Sequence, residues 1–193
     1  MARYKLVVIG ASAGGLTAIE KLLAPLPKDF GIPIVIVQHI SPDSENYMVT
    51  LLNNNLALRV KEADEKEVVK PGTVYIAPPN FHVFIEEDLS ITLSVEERVN
   101  FSRPSIDVLF ETAAISIGNQ VVGIVLTGGN QDGAMGLKMI KNRGGLTIVQ
   151  SAEEAQVAIM PSIAIKTSHP DYVLTLSEIS DLLLRVAGDF NSI

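Results

Sequence analysis

The feature that most limits the fold is a run of residues with no polar face. Ile32-Pro33-Ile34-Val35-Ile36-Val37 is apolar at every position, and a strand of that kind must be covered on both sides. Tyr4 to Ile9 and Val121 to Leu126 read as buried strands too. Helical periodicity fills the spaces between. Leu16, Ile19, Leu22 and Leu23 share one face of a helix predicted over 16–26, where Pro25 and Pro27 end it. Further helices are expected over 44–52, 106–117 and 135–142, and runs at 146–149, 159–166, 172–174 and 179–186 continue the alternation. Between them lie short β signals at 59–60, 74–77, 82–85 and 91–93, punctuated by Pro-Gly, Pro-Pro and Glu-Asp pairs. The expected fold is an α/β, doubly wound, mostly parallel sheet with helices on both faces and a small antiparallel β excursion at about 59–95.

Composition narrows the function classes. A chain of 193 residues is expected to form a single domain. With 22 acidic against 15 basic residues, the net charge of −7 argues against nucleic acid or an anionic membrane as the main partner. The absence of cysteine excludes disulfides, thiolate catalysis and thiolate zinc sites. No apolar run is long enough for a membrane span, and the start is unlike a signal peptide, so a soluble cytoplasmic protein is expected.

Chemistry is expected where strands end. Gly10-Ala11-Ser12-Ala13-Gly14-Gly15 follows a buried strand, opens a helix and matches G-x-S-x-G, the nucleophile-elbow pattern. Small residues on both sides let the chain turn sharply and push the serine outward. A dinucleotide loop is the rival, but Ser12 stands where its second glycine belongs. The second strand also ends in Val37-Gln38-His39 rather than in an acidic ribose ligand. Elbow, phosphate loop and functionless turn all remain open from this segment alone. His39 would leave the same carboxyl edge as Ser12. Thr127-Gly128-Gly129-Asn130-Gln131-Asp132-Gly133 forms a third loop there, and Asp132 is the best candidate to orient the imidazole. Asp43 lies too close to His39 in sequence, and Asp107 falls inside a predicted helix. His82 is expected to make a structural hydrogen bond and His169 to face solvent.

Six segments in order resemble the catalytic domain of the CheB-type protein-glutamate methylesterases of bacterial chemotaxis. They are Ile9 to Gly15, Gln38-His39, Ala77-Pro78 with Phe81-His82, Arg103 to Asp107, Leu126-Thr127-Gly128 with Asp132-Gly133-Ala134, and Met160-Pro161. The resemblance implies Ser12 as nucleophile, His39 as general base and Asp132 as the orienting acid. It also implies N–H groups near Ala13 and Gly129 as oxyanion donors. Two positions depart from the family's usual pattern: Ala13 replaces threonine, and Gly129 replaces methionine, which leaves the donor loop less fixed. The expected activity is hydrolysis of glutamyl γ-methyl esters in chemoreceptor helices, extended to receptor glutamines, with no metal or cofactor. Arg103 is expected to line the site and meet the acidic receptor, the alternative being a salt bridge at the helix start. The first strand begins at Tyr4, so residues 1–193 are expected to form one catalytic domain without the receiver domain that many relatives carry ahead of it. The rival functions are a nucleotide- or phosphate-binding module and a receptor-binding homologue with little turnover.

Overall fold

The computed structural model describes residues 3–39 and 47–188. Asp43 and the start of the helix expected over 44–52 lie outside them. The apolar runs become strands β1 (Leu6–Ala11), β2 (Ile34–Gln38) and, later, β7 (Val121–Val125), each buried at every position. Before β7 come β3 (Arg59–Glu62), β4 (Thr73–Ile76), β5 (His82–Ile85) and β6 (Ile91–Ser94). After it come β8 (Leu146–Gln150) and β9 (Tyr172–Leu174). Seven of these strands form one parallel sheet in the order β3-β4-β2-β1-β7-β8-β9, while β5 and β6 pair antiparallel as a separate hairpin.

Side-chain alternation divides the sheet between two cores. Val7, Ile9, Ile34, Ile36, Val122 and Ile124 face one layer. It contains α1 (Gly15–Leu23), α2 (Tyr47–Asn55) and α6 (Leu176–Ala187). Leu6, Val8, Val35, Val37, Val121 and Val125 face the other. It holds α3 (Ile106–Ile117), α4 (Ala134–Asn142), α5 (Ile159–Ser168) and the β5–β6 hairpin. A fully apolar strand is what each of these central positions requires, because neither face meets water. Among the described residues, no helix is long and apolar enough to cross a membrane.

The fold class matches the expectation, with one shift of boundary. Among the strands, antiparallel pairing is confined to β5 and β6, with an antiparallel bridge from Val68 to Ser90, whereas β3 and β4 join the main sheet in parallel. The crossover between β3 and β4 contains no helix. It lies instead against the hairpin: Val69 N–H donates to the Leu89 carbonyl (3.0 Å), and Lys66 N–H donates to the Ile91 carbonyl (2.7 Å). Pro71-Gly72 ends this crossover just before β4.

The chain winds outward from β1 in both directions, so β1 and β7 flank the switch point of the sheet. Crevices for ligands open at the carboxyl ends of such strands. Gly10 near that end has no room for a side chain, since an added Cβ would overlap Ile106 at the start of α3. Gly10→Ala is therefore expected to lower stability by roughly 1–3 kcal/mol, read as a lower urea midpoint at an unchanged slope. An unchanged midpoint would show that α3 does not press on the strand.

Candidate active site

The register of the sheet brings the three loops together. Ala11 pairs with Gln38, and the His39 N–H donates to the Ala11 carbonyl (3.0 Å), so Ser12, the residue after β1, stands across from His39. On the other side the Ser12 N–H donates to the Thr127 carbonyl (3.0 Å). Adjacent strands lie about 4.8 Å apart, which keeps the Ser12, His39 and Thr127 backbones as neighbours.

Gln38 tightens this edge. Its Nε2 donates to the Ser12 carbonyl (2.8 Å) and to the His39 carbonyl (3.0 Å), tying the Ser12 and His39 loops through one amide. An added Cβ at Gly15 would overlap the Gln38 amide oxygen. The close approach this glycine allows is therefore to Gln38 rather than to a ligand phosphate. Gly14 supplies the left-handed turn into α1 (φ 78°). Gly128 makes space on the far side, where a Cβ would fall 2.6 Å from Met160 Cε and 3.0 Å from Ser12 Cβ.

Asp132 crosses over Ser12 to reach the histidine. Its Oδ2 lies 2.8 Å from His39 Nε2, and its side chain is fully buried. The same carboxylate closes the start of α3. Oδ2 accepts from Ile106 N–H (2.7 Å), and Oδ1 accepts from Asp107 N–H (3.0 Å), Ser105 Oγ (2.8 Å) and Asn100 Nδ2 (2.9 Å). Burial is the largest influence on this carboxyl and opposes ionisation. The His39 ring and the surrounding donors outweigh it and hold Asp132 below the usual carboxylate range. An ionised carboxylate only accepts, so His39 Nε2 carries the proton and Nδ1 is left with a lone pair. The Asn130 amide meets that lone pair at 3.2 Å, while its own oxygen accepts from the Asp132 N–H (3.0 Å).

The serine end of the constellation is open. Among the described residues the Ser12 hydroxyl makes no hydrogen bond to His39 or to any other group, and the N–H groups of Ala13 and Gly129 have no acceptor. The Ala13 carbonyl is held by Thr127 Oγ1 (2.9 Å), which fixes the peptide after the serine. The structure thus joins His39 to Asp132 directly and sets Ser12 beside them.

Asp107, set aside as a candidate acid, has a different task. Its Oδ1 accepts from Gly133 N–H (3.0 Å) and Gly136 N–H (2.7 Å) at the start of α4, and its Oδ2 accepts from Asn100 Nδ2 (2.7 Å). Burial pushes its carboxyl up, the nearby Asp132 charge adds to that, and the α4 N–H groups and Asn100 pull the other way. Asn100 and Asn130 carry no sequence signal of their own, because asparagine is common in loops and caps, while Gln38 and Ser105 lie in segments that carry the resemblance without a role assigned to them.

Arg103 does not form the salt bridge expected as the alternative at the helix start, among the described residues. Its Nη1 donates to the carbonyls of Val95 (2.8 Å) and Glu96 (2.9 Å), its Nε is buried without a partner, and no carboxylate pairs with it among the described residues. It straps the segment after the hairpin to the start of α3. His82 is buried and structural, as expected: Nε2–H donates to the Glu97 carbonyl (2.8 Å), and Nδ1 accepts from Ser105 N–H (3.2 Å). His169 is exposed at the end of α5. Among the described residues, no group of three or more His, Asp or Glu could hold a metal ion.

The family described as CheB methylesterase matches residues 7–183. The chain belongs to this family. A Leptospira interrogans protein named "Putative protein-glutamate methylesterase/protein-glutamine glutaminase" is 51% identical over 183 residues, covering 95% of each chain. A protein-glutamate methylesterase/protein-glutamine glutaminase of Archaeoglobus fulgidus is 37% identical over 93% of this chain, which spans 52% of that longer protein. The crystal structure of the Thermotoga maritima CheB methylesterase catalytic domain superposes with a TM-score of 0.90 at 35% identity, covering 95% of this chain and 98% of that one.

The depressed Asp132 carboxyl fixes a pH signature. A carboxylate held below its unfolded pKa stabilises the fold above that value, and the contribution disappears as pH falls through the depressed one. Asp132→Asn should cost roughly 3–5 kcal/mol at pH 7, with the gap to the parent narrowing below about pH 4. Urea midpoints across that range measure it, and a constant gap would contradict the assignment.

Proposed function

We propose that this chain is a serine esterase that removes methyl groups from glutamyl γ-methyl esters of chemoreceptor helices in the cytoplasm. The observation that carries the proposal is the 2.8 Å bond between His39 and the buried Asp132, with Ser12 across the strand edge from His39. The names of the Leptospira and Archaeoglobus relatives support both the ester activity and its extension to glutamine side chains.

In this reading each step falls to one atom. His39 Nδ1 is the base, since Nε2 is bonded to Asp132. The Ser12 hydroxyl takes the place of the Asn130 amide at Nδ1, gives up its proton and attacks the ester carbonyl. The N–H groups of Ala13 and Gly129 receive the oxyanion. Collapse expels methanol, which takes the proton from Nδ1, and leaves a glutamyl ester on Ser12. Water activated at the same nitrogen then releases the glutamate and regenerates the serine. With a glutamine substrate the leaving group is ammonia. Asp132 orients the ring and stabilises the imidazolium without itself becoming protonated.

Ser12→Ala should reduce methanol release from methylated receptor by about 10³-fold or more and abolish labelling by a fluorophosphonate. Retained labelling would place the nucleophile elsewhere. Gly129 is the feature that favours a low-turnover variant of this function, because a glycine holds its N–H less firmly than a larger residue. An added Cβ there would touch only Val157 Cγ1, at 3.9 Å. Gly129→Met should therefore fold normally and raise kcat, by less than the 10²–10³-fold that a whole donor represents. An unchanged kcat would show that the glycine loop is already fixed.

A further inference from the structure

We propose that Phe101 is a substrate-docking residue, gripping the apolar surface beside the esterified glutamate. This rests on the ester-hydrolase reading above and names the contact that would hold the protein substrate at that site.

Phe101 occupies a position that its own backbone disfavours. Val99 and Ser102 exchange both backbone hydrogen bonds (3.1 and 2.9 Å) across a two-residue turn. Its central residues, Asn100 (φ 51°) and Phe101 (φ 63°), are both left-handed. Turns of this type suit Asn-Gly. The asparagine fits, whereas a bulky residue at the second position is an outlier. Nothing in the fold offsets it, since Phe101 is 95% exposed. A strained aromatic side chain left in water points to a task outside the fold.

The turn is also aimed. Asn100, its other central residue, donates to Asp132 (2.9 Å) and Asp107 (2.7 Å), so Phe101 follows directly after a side chain bonded to the orienting acid. Arg103 and His82 hold the carbonyls of Val95, Glu96 and Glu97 ahead of the turn, at 2.8–2.9 Å. The aromatic tip therefore stands on a fixed support, one residue from the side chain that bonds Asp132. A glutamyl methyl ester is small, and most of the attraction for a protein substrate must come from the surface around it. On a helix that presents the ester, side chains three and four residues away share its face. An apolar one there would meet Phe101, and rigid aromatic anchors of this kind dominate binding at protein interfaces.

Phe101→Gly restores the residue that the turn prefers, so the variant folds and its Tm should equal or exceed the parent's. KM for methylated receptor should rise about tenfold with kcat nearly unchanged. Hydrolysis of p-nitrophenyl acetate, which has no helix to grip, should stay within about twofold of the parent. Phe101→Leu should fall between the two. An unchanged receptor KM overturns the proposal, as does equal slowing of the small ester. Weakened self-association in sedimentation, with receptor kinetics intact, would overturn it by making the tip a contact between copies of this chain. A parent enzyme that releases no methanol removes the ester-hydrolase reading itself, and this contact with it. Parental turnover with an unaltered Phe101→Gly KM removes the contact alone.

Discussion

Two carboxylates each close the helix that belongs to the other. Asp132 stands just before α4, yet its oxygens take the first N–H groups of α3. Asp107 lies in the first turn of α3, yet it takes N–H groups at the start of α4. Helix starts carry unpaired donors and partial positive charge, so each buried carboxylate sits where its charge is best tolerated. Asn100 donates to both and keeps the two apart. The crossed arrangement locks two helices together at one point, and His39 is bonded to that point. The geometry of the candidate site and the tertiary packing therefore share the same few hydrogen bonds.

The sheet supplies the other half of the site. Its central strand delivers Ser12, and the flanking strands deliver His39 and the loop of Asp132, so no flexible segment has to find its place unaided. Gln38 bonds the carbonyls of Ser12 and His39 through one side chain. Glycines at 10, 15 and 128 are the spaces that let Ile106, Gln38 and Met160 come this close.

Much of this was legible in the chain. Runs apolar on both faces identified the central parallel strands, and strand ends followed by small or polar residues identified the three loops. The strands at 59–62 and 73–76 were harder. A parallel pair ordinarily needs a helical crossover, and here a helix-free crossover braced on the hairpin takes its place, so these strands read as part of the antiparallel excursion. The last helix starts three residues earlier than its apolar period suggests, because Thr175 and Glu178 cap its first turn reciprocally. Asp132 was legible as a candidate because only one loop at the carboxyl edge offered an acid of suitable placement. The roles of Asn100, Ser105 and Asp107 were not, since they depend on α3 and α4 meeting end to end, a contact that no local pattern encodes. The partners of Arg103 within the fold were not legible for a related reason: they are backbone carbonyls, which leave no trace in a sequence.

The pairing of β1 has a consequence for how the chain acquires its shape. Leu6 lies beside Val121 and Gly10 beside Val125, so the central strand has one unpaired edge until residues far along the chain arrive. Parallel pairings of such long range form slowly and leave sticky edges exposed in the meantime. During synthesis, β1 and β2 can meet early, with Ser12 and His39 already opposed. The acid comes only with β7 and the loop behind it. Ser12 and His39 are thus neighbours before the fold is complete, and the arrival of Asp132 completes the hydrogen-bonded core and the candidate site in one event.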